Sequence, residues 1–93
     1  MKYSLRSDVV LVTVLDESML VTVNEVRGGV DSMRSVNETG AYFWRLMEKS
    51  LSVDEIVAQA MLDYGIAEDV ARPAFTRFLN DLSTAGYLSL EEQ

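Results

Sequence analysis

The sequence predicts an α+β domain in which an N-terminal three-stranded antiparallel sheet is followed by a three-helix bundle. Two observations support this prediction. Up to Val36 the apolar residues are mostly β-branched and follow one another in short runs, as they do in strands. From Asn37 onward they recur at spacings of three and four residues, which is the period of a helix. At this length, residues 1–93 are expected to form a single domain with a modest core.

The three predicted strands cover about 9–15, 19–24 and 30–36. Leu-Val-Thr-Val occurs in the first run, at 11–14, and again in the second, at 20–23. This repetition indicates the two arms of a hairpin, and the Gly28-Gly29 pair marks the loop that follows it. The third run is the most polar, which is typical of a strand at the edge of a sheet. Residues 1–7 are predicted to be a lead-in arm.

The three predicted helices cover about 38–49, 53–64 and 69–85. Asn37 is a good N-cap for the first helix, and Ser52 with Glu55 forms a capping box at the start of the second. Gly65 is suited to the left-handed conformation that ends a helix. Pro73 is unfavourable in a helix interior, so the third helix is expected to start after Glu68 or to bend in its first turn.

Composition excludes several functional classes. The chain has eight Lys and Arg against fifteen Asp and Glu, a net charge of −7, which disfavours nucleic acid and anionic membranes as partners. It has no cysteine and no histidine, so disulfides, ordinary zinc sites and the usual catalytic base are absent from the sequence. Neighbouring carboxylates such as Asp54 and Glu55 lie at a helix start and complement the helix dipole. We therefore expect no enzymatic activity, no cofactor and no metal.

No signal peptide opens the chain, and no apolar run approaches the length of a membrane span. The cytoplasm is therefore the expected compartment, and a membrane is not an expected partner.

An ordered set of motifs resembles the PqqD-like family of small peptide chaperones, also called RiPP recognition elements. The set begins with Asn-Glu-Thr-Gly, an aromatic pair and Leu-Met, continues through the capped second helix and ends with a glycine followed by apolar residues. Its members are Asn37–Met47, Ser52–Val57, Tyr64, Phe75, Phe78, Leu79, Leu82 and Gly86–Leu88. The turn at Arg27-Gly28-Gly29 differs from that of the cofactor-biosynthesis subgroup, so the resemblance is to the broader family.

The resemblance implies a winged-helix-like fold and a non-catalytic role in natural product biosynthesis. Such a domain binds the leader of a ribosomally made precursor peptide and presents it to a modifying enzyme, for which a radical-SAM protein is expected. The domain itself would be a monomer or a weak dimer. Two alternatives remain open from the residues alone. The second and third helices could form a winged helix-turn-helix that binds DNA, or the chain could be a purely structural dimer or complex subunit.

The binding site is predicted where an extended peptide can add to the edge of the third strand. The strand residues are Val30, Asp31, Ser32, Met33, Arg34, Ser35 and Val36. On the third helix the predicted residues are Arg72, Phe75, Thr76 and Leu79, whose spacing places them on one face. Arg72 is suited to contact acidic residues of the peptide, while Phe75 and Leu79 could equally belong to the core.

Overall fold

The computed structural model contains a three-stranded antiparallel sheet, three helices and a separate two-stranded sheet. It describes residues 1–24 and 29–91, with the side chains of 1–23 and 32–91. The elements are β1 (Lys2–Leu5), β2 (Val9–Val14), β3 (Glu17–Asn24), β4 (Gly29–Val36), α1 (Glu38–Glu48), α2 (Val53–Tyr64), α3 (Glu68–Thr84) and β5 (Leu88–Glu91). The predicted α+β class and the order of sheet and helices are confirmed. The loop predicted at Gly28 lies outside the described residues.

The larger sheet has the strand order β2-β3-β4. The two β-branched runs form the predicted hairpin, in which Leu11 is opposite Leu20 and Val10 is opposite Val21. Strand β4 then pairs with β3, and a register shift between Thr22 and Val23 interrupts the ladder. Since Leu20 is 0% exposed and belongs to the core shared with the helices, its side of the sheet is the one that the helices cover.

The smaller sheet corrects the prediction for the first seven residues. Residues 2–5 are not a lead-in arm but strand β1, which pairs antiparallel with β5 so that Leu5 is opposite Leu88. The Tyr3 hydroxyl donates to the backbone carbonyl of Leu51, which ties this sheet to the connection between α1 and α2. Four-residue strands give too short a pattern to be separated from an irregular arm by sequence alone.

The helix boundaries follow the predicted capping signals. The Asn37 side chain accepts a hydrogen bond from the backbone of Gly40 at 2.7 Å, and the Ser52–Glu55 capping box is complete. Gly65 ends α2 in the left-handed conformation, with φ of 63°. Helix α3 begins at Glu68 and contains Pro73 in its second turn, where the missing N–H removes one intrahelical hydrogen bond.

The core lies between the covered side of the sheet and the three helices. Trp44 is 1% exposed and lies at its centre, as expected for a core residue, and its indole N–H has no hydrogen-bond partner among the described residues. Phe43 joins the aromatic rings of α3, with centroids 4.9 Å from Phe75 and 5.8 Å from Phe78. These contacts fix how α3 lies beside α1 and β4.

Candidate functional site

Strand β4 lies at an edge of the three-stranded sheet. It pairs with β3 on one side, and no described strand pairs with its other side. The edge position is the one expected for the most polar strand. An unpaired strand edge presents backbone N–H and C=O groups that can pair with another extended chain. Strand β2 forms the opposite edge of the same sheet, so the surroundings of the two edges decide between them.

The side chains of β4 alternate between the two sides of the sheet. Arg34 is opposite the buried Leu20, so Ser32, Arg34 and Val36 lie on the side of the helices, while Met33 and Ser35 lie on the outer side. The Ser32 hydroxyl is hydrogen-bonded to Thr22 at 2.8 Å and to the Tyr87 hydroxyl at 3.1 Å. These bonds connect β4 to its neighbouring strand and to the residue that precedes β5.

A groove runs beside β4 between the start of α1 and the exposed side of α3. It consists of two adjoining depressions of about 290 Å³ and 160 Å³, which share Asn37, Gly40, Phe78 and Asp81. The smaller depression is also bordered by Arg34, Ser35 and Val36 of β4 and by Leu82. The larger one continues along α3 past Ala74 and Arg77 and touches Thr39 and Phe43. The edge of β4 and the groove together therefore form one continuous surface.

The absence of a side chain at Gly40 keeps this groove open. A Cβ atom built there would lie 3.0 Å from Cε1 of Phe78, 3.2 Å from the capping oxygen of Asn37 and 3.3 Å from Cβ of Val36. All three distances are tighter than ordinary carbon contacts. Glycine at this position thus lets α1 approach the Phe78 ring while leaving the ring accessible from the groove.

The predicted residues of α3 do not line this groove. Phe75 and Leu79 are both 0% exposed and belong to the core. Arg72 forms ion pairs with Asp54 of α2 at 3.0 Å and with Glu68 at 3.2 Å, and its hydrogen bonds to these carboxylates raise its pKa. Thr76 is partly buried and lines neither depression. The four predicted helix residues therefore lie in the core, in ion pairs or in a partly buried position, and none of them borders this groove.

The residues of α3 that line the groove lie two positions further along the helix than the four predicted residues. They are Ala74, Arg77, Phe78 and Asp81. Their spacing is the same as that of the predicted set, so spacing alone could not separate the two faces. The sequence did carry a signal, because the charged Arg77 and Asp81 flank the aromatic Phe78, whereas the positions around Phe75 and Leu79 continue the apolar stripe.

All seven predicted strand residues, 30–36, lie within β4. The side chains of Val30 and Asp31 lie outside the described set. Ser32 is held by hydrogen bonds on the helix side, and Arg34, Ser35 and Val36 border the smaller depression. Met33 lies on the outer side and is 61% exposed. The structure therefore brings together the second half of the predicted strand and a face of α3 that the prediction missed.

Two larger depressions, each of about 560 Å³, lie outside this groove. One lies between the β2–β3 turn, the end of β4 and the start of α1. It is bordered by the carboxylates of Asp16, Glu17 and Glu38, and it shares Ser35, Val36 and Asn37 with the smaller depression of the groove. The other lies between β1 and the connection from α1 to α2. Neither extends to α3.

Among the side chains that the structure describes, those of 1–23 and 32–91, no three His, Cys, Asp or Glu residues are grouped so that they could hold a metal ion. Among the helices that the structure describes, none has the length and apolar character needed to span a membrane.

A sheet edge beside a helix-lined groove is the geometry used by domains that bind extended peptides through strand addition. The family model described as coenzyme PQQ synthesis protein D (PqqD) matches residues 15–88. The chain therefore belongs to the PqqD family, which confirms the resemblance seen in the sequence. No curated protein matches the chain significantly.

One solved structure has the same fold over nearly the whole chain. It is described as TbiB1 in complex with the TbiA(beta) leader peptide. The TM-score is 0.76 at 20% sequence identity, and the alignment covers 97% of this chain and 99% of that chain. The likeness at this identity is one of fold.

Proposed function

We propose that this chain is a non-catalytic peptide chaperone. It binds the leader segment of a ribosomally made precursor by strand addition along β4, in the cytoplasm where the precursor is synthesised. It then presents the precursor to a modifying enzyme, for which a radical-SAM protein is the leading candidate. The observation that carries the proposal is the edge of β4 beside the groove formed with α3. Membership of the PqqD family and the leader peptide bound to TbiB1 support it.

The edge of β4 suits this role better than the edge of β2. Side chains of an added strand that face the helices would enter the groove beside Val36 and Phe78, which provides selectivity in addition to backbone hydrogen bonds. No residue of β2 lines either depression of the groove. A peptide added at β2 would therefore gain the backbone hydrogen bonds without these side-chain contacts.

A DNA-binding role is less well supported. The arginines of α3 are Arg72 and Arg77, and Arg72 is already paired with two carboxylates. The same helix carries Glu68, Asp69 and Asp81. A helix with this charge has little attraction for a phosphate backbone.

The proposal is tested by amide chemical-shift mapping with a synthetic leader peptide from a short precursor encoded beside this gene. We expect shifts to cluster on 29–36, on the first turn of α1 and on the face of α3 that contains Phe78. Ala74→Trp should fill the larger depression and weaken binding at least tenfold. Asn80→Trp adds the same side chain to an exposed position of α3 outside the groove, so it should bind like the wild type.

Shifts confined to the β2–β3 hairpin or to α2 would refute the proposed site. A tight dimer in sizing experiments, with no peptide binding, would instead favour the structural-subunit alternative.

A further inference from the structure

The groove of this acidic protein is bordered by two arginines. Arg34 of β4 borders the smaller depression, and Arg77 of α3 borders the larger one. Both are exposed, and within the described side chains neither forms an ion pair, whereas Arg6 and Arg72 both pair with carboxylates. Asp81 is the one carboxylate among the described residues that line the two depressions. The groove therefore has a local charge opposite in sign to the −7 of the whole chain.

The floor of the same groove is apolar. Phe78 is shared by both depressions, and Val36 borders the smaller one. Gly40 leaves the Phe78 ring uncovered, since a Cβ there would lie 3.0 Å from it. An aliphatic or aromatic side chain can enter at this point, and a carboxylate can reach the guanidinium groups at the rim.

The strand geometry sets the distance between these two subsites. Arg34 and Val36 are two residues apart on β4 and lie on the same, helix-facing side of the sheet. In a peptide strand added to β4, the residues opposite them are also two apart and face the same side. A residue directly opposite Arg34 has its Cβ about 5 Å away, which is the distance of a cross-strand ion pair.

We infer that the groove selects extended peptides in which an acidic residue lies two positions from an apolar one. The acidic residue is placed opposite Arg34, within reach of the Arg77 side of the groove, and the apolar residue is placed opposite Val36 over Phe78. This inference rests on the proposed function and specifies its ligand class. The order of the two residues follows the direction of the peptide: apolar first if it runs antiparallel to β4, acidic first if it runs parallel.

The test is a selection of phage-displayed random twelve-residue peptides on the full chain. Wild-type protein should enrich peptides with an acidic and an apolar residue two apart, in one consistent order. The double variant Arg34→Gln/Arg77→Gln should still select apolar peptides but without the acidic residue. Arg72→Gln is the matched control, since Arg72 lies on the same helix as Arg77 but outside the groove, and it should keep the wild-type preference.

Affinity measurements then give the size of the effect. A selected peptide should bind about threefold to tenfold more tightly than its counterpart with Gln or Asn for the acidic residue, and added salt should remove the difference. Selected peptides with no acidic enrichment, or the same acidic enrichment on the double variant, would overturn the inference while leaving the proposed function intact. Selection of no peptide by folded wild-type protein would refute the proposed function itself, and the inference with it.

Discussion

The two phenylalanines of α3 that lie one turn apart provide a sharp test of how this helix is oriented. Phe75 is 0% exposed, and its ring contacts Phe43 at 4.9 Å and Tyr3 at 6.5 Å between centroids. Phe78 is partly buried, contacts Phe43 at 5.8 Å and borders both depressions of the groove. The same substitution at the two positions should therefore affect different properties.

Phe75→Ala should lower the free energy of unfolding by about 3–5 kcal/mol, since it removes a fully buried ring from a packed core. A domain of this size has a total stability of roughly 5–14 kcal/mol, so this variant could be largely unfolded. Phe75→Leu provides a milder test, with an expected loss of about 1–2 kcal/mol. Phe78→Ala should cost only about 1–3 kcal/mol, because part of its ring already faces the groove.

Peptide affinity should show the opposite order. Phe78→Ala removes the floor of the groove and should weaken leader binding at least tenfold, whereas Phe75→Leu should leave affinity within about threefold of wild type. Urea denaturation followed by circular dichroism gives the stabilities, with an expected slope of about 1–2 kcal/mol per molar urea. Calorimetric titration gives the affinities. Equal stability losses for the two alanine variants, or unchanged affinity in Phe78→Ala, would show that the assigned faces of α3 are wrong.

Three further predictions concern the core and the response to pH. Trp44→Ala should lower the free energy of unfolding by about 3–5 kcal/mol in urea melts, and a loss below about 1 kcal/mol would show that Trp44 is not a core residue. Burial, followed by the 2.6 Å hydrogen bond to Asp63, raises the pKa of Tyr42. Its contribution to the free energy of unfolding is therefore present below pH 10 and is lost as the pH rises further. Tyr42→Phe should flatten the alkaline fall in the urea midpoint, and an unchanged slope would contradict this. The hydrogen bond from Arg6 lowers the pKa of Asp8, so the contribution of Asp8 to the free energy of unfolding is present above pH 4 and is lost as the pH falls. Asp8→Asn should make the acid-side fall in the urea midpoint shallower. An identical fall in the variant would exclude this contribution.

Much of the fold was predictable because its signals are local. The repeated Leu-Val-Thr-Val runs pair as the hairpin, and the caps at Asn37 and Ser52 start their helices where expected. Strands β1 and β5 were missed because each has four residues, and their pairing joins positions such as Leu5 and Leu88 that are distant in sequence. Only the three-dimensional structure brings such short segments together.

The edge position of β4 was predictable from the sequence, whereas the face of α3 that lines the groove was not. The polarity of residues 30–36 indicated an edge, and β4 is at an edge. On α3, the sets beginning at Arg72 and at Ala74 have identical spacing, and the choice depends on which set is buried. Phe75 and Leu79 are 0% exposed, whereas Phe78 borders the groove. This difference arises from tertiary packing, which helical periodicity does not encode.

Hydrogen exchange of the backbone amides tests strand addition at β4 most directly. In the free protein, the amides of β4 that point away from β3 should exchange quickly, because no described strand pairs with that edge. When a synthetic leader peptide is bound, alternate amides within 29–36 should become protected, with the two-residue period of a strand, while the edge of β2 stays unchanged. Protection that appears instead along 9–14, or only within the helices, would contradict the central claim that the peptide becomes the next strand beside β4.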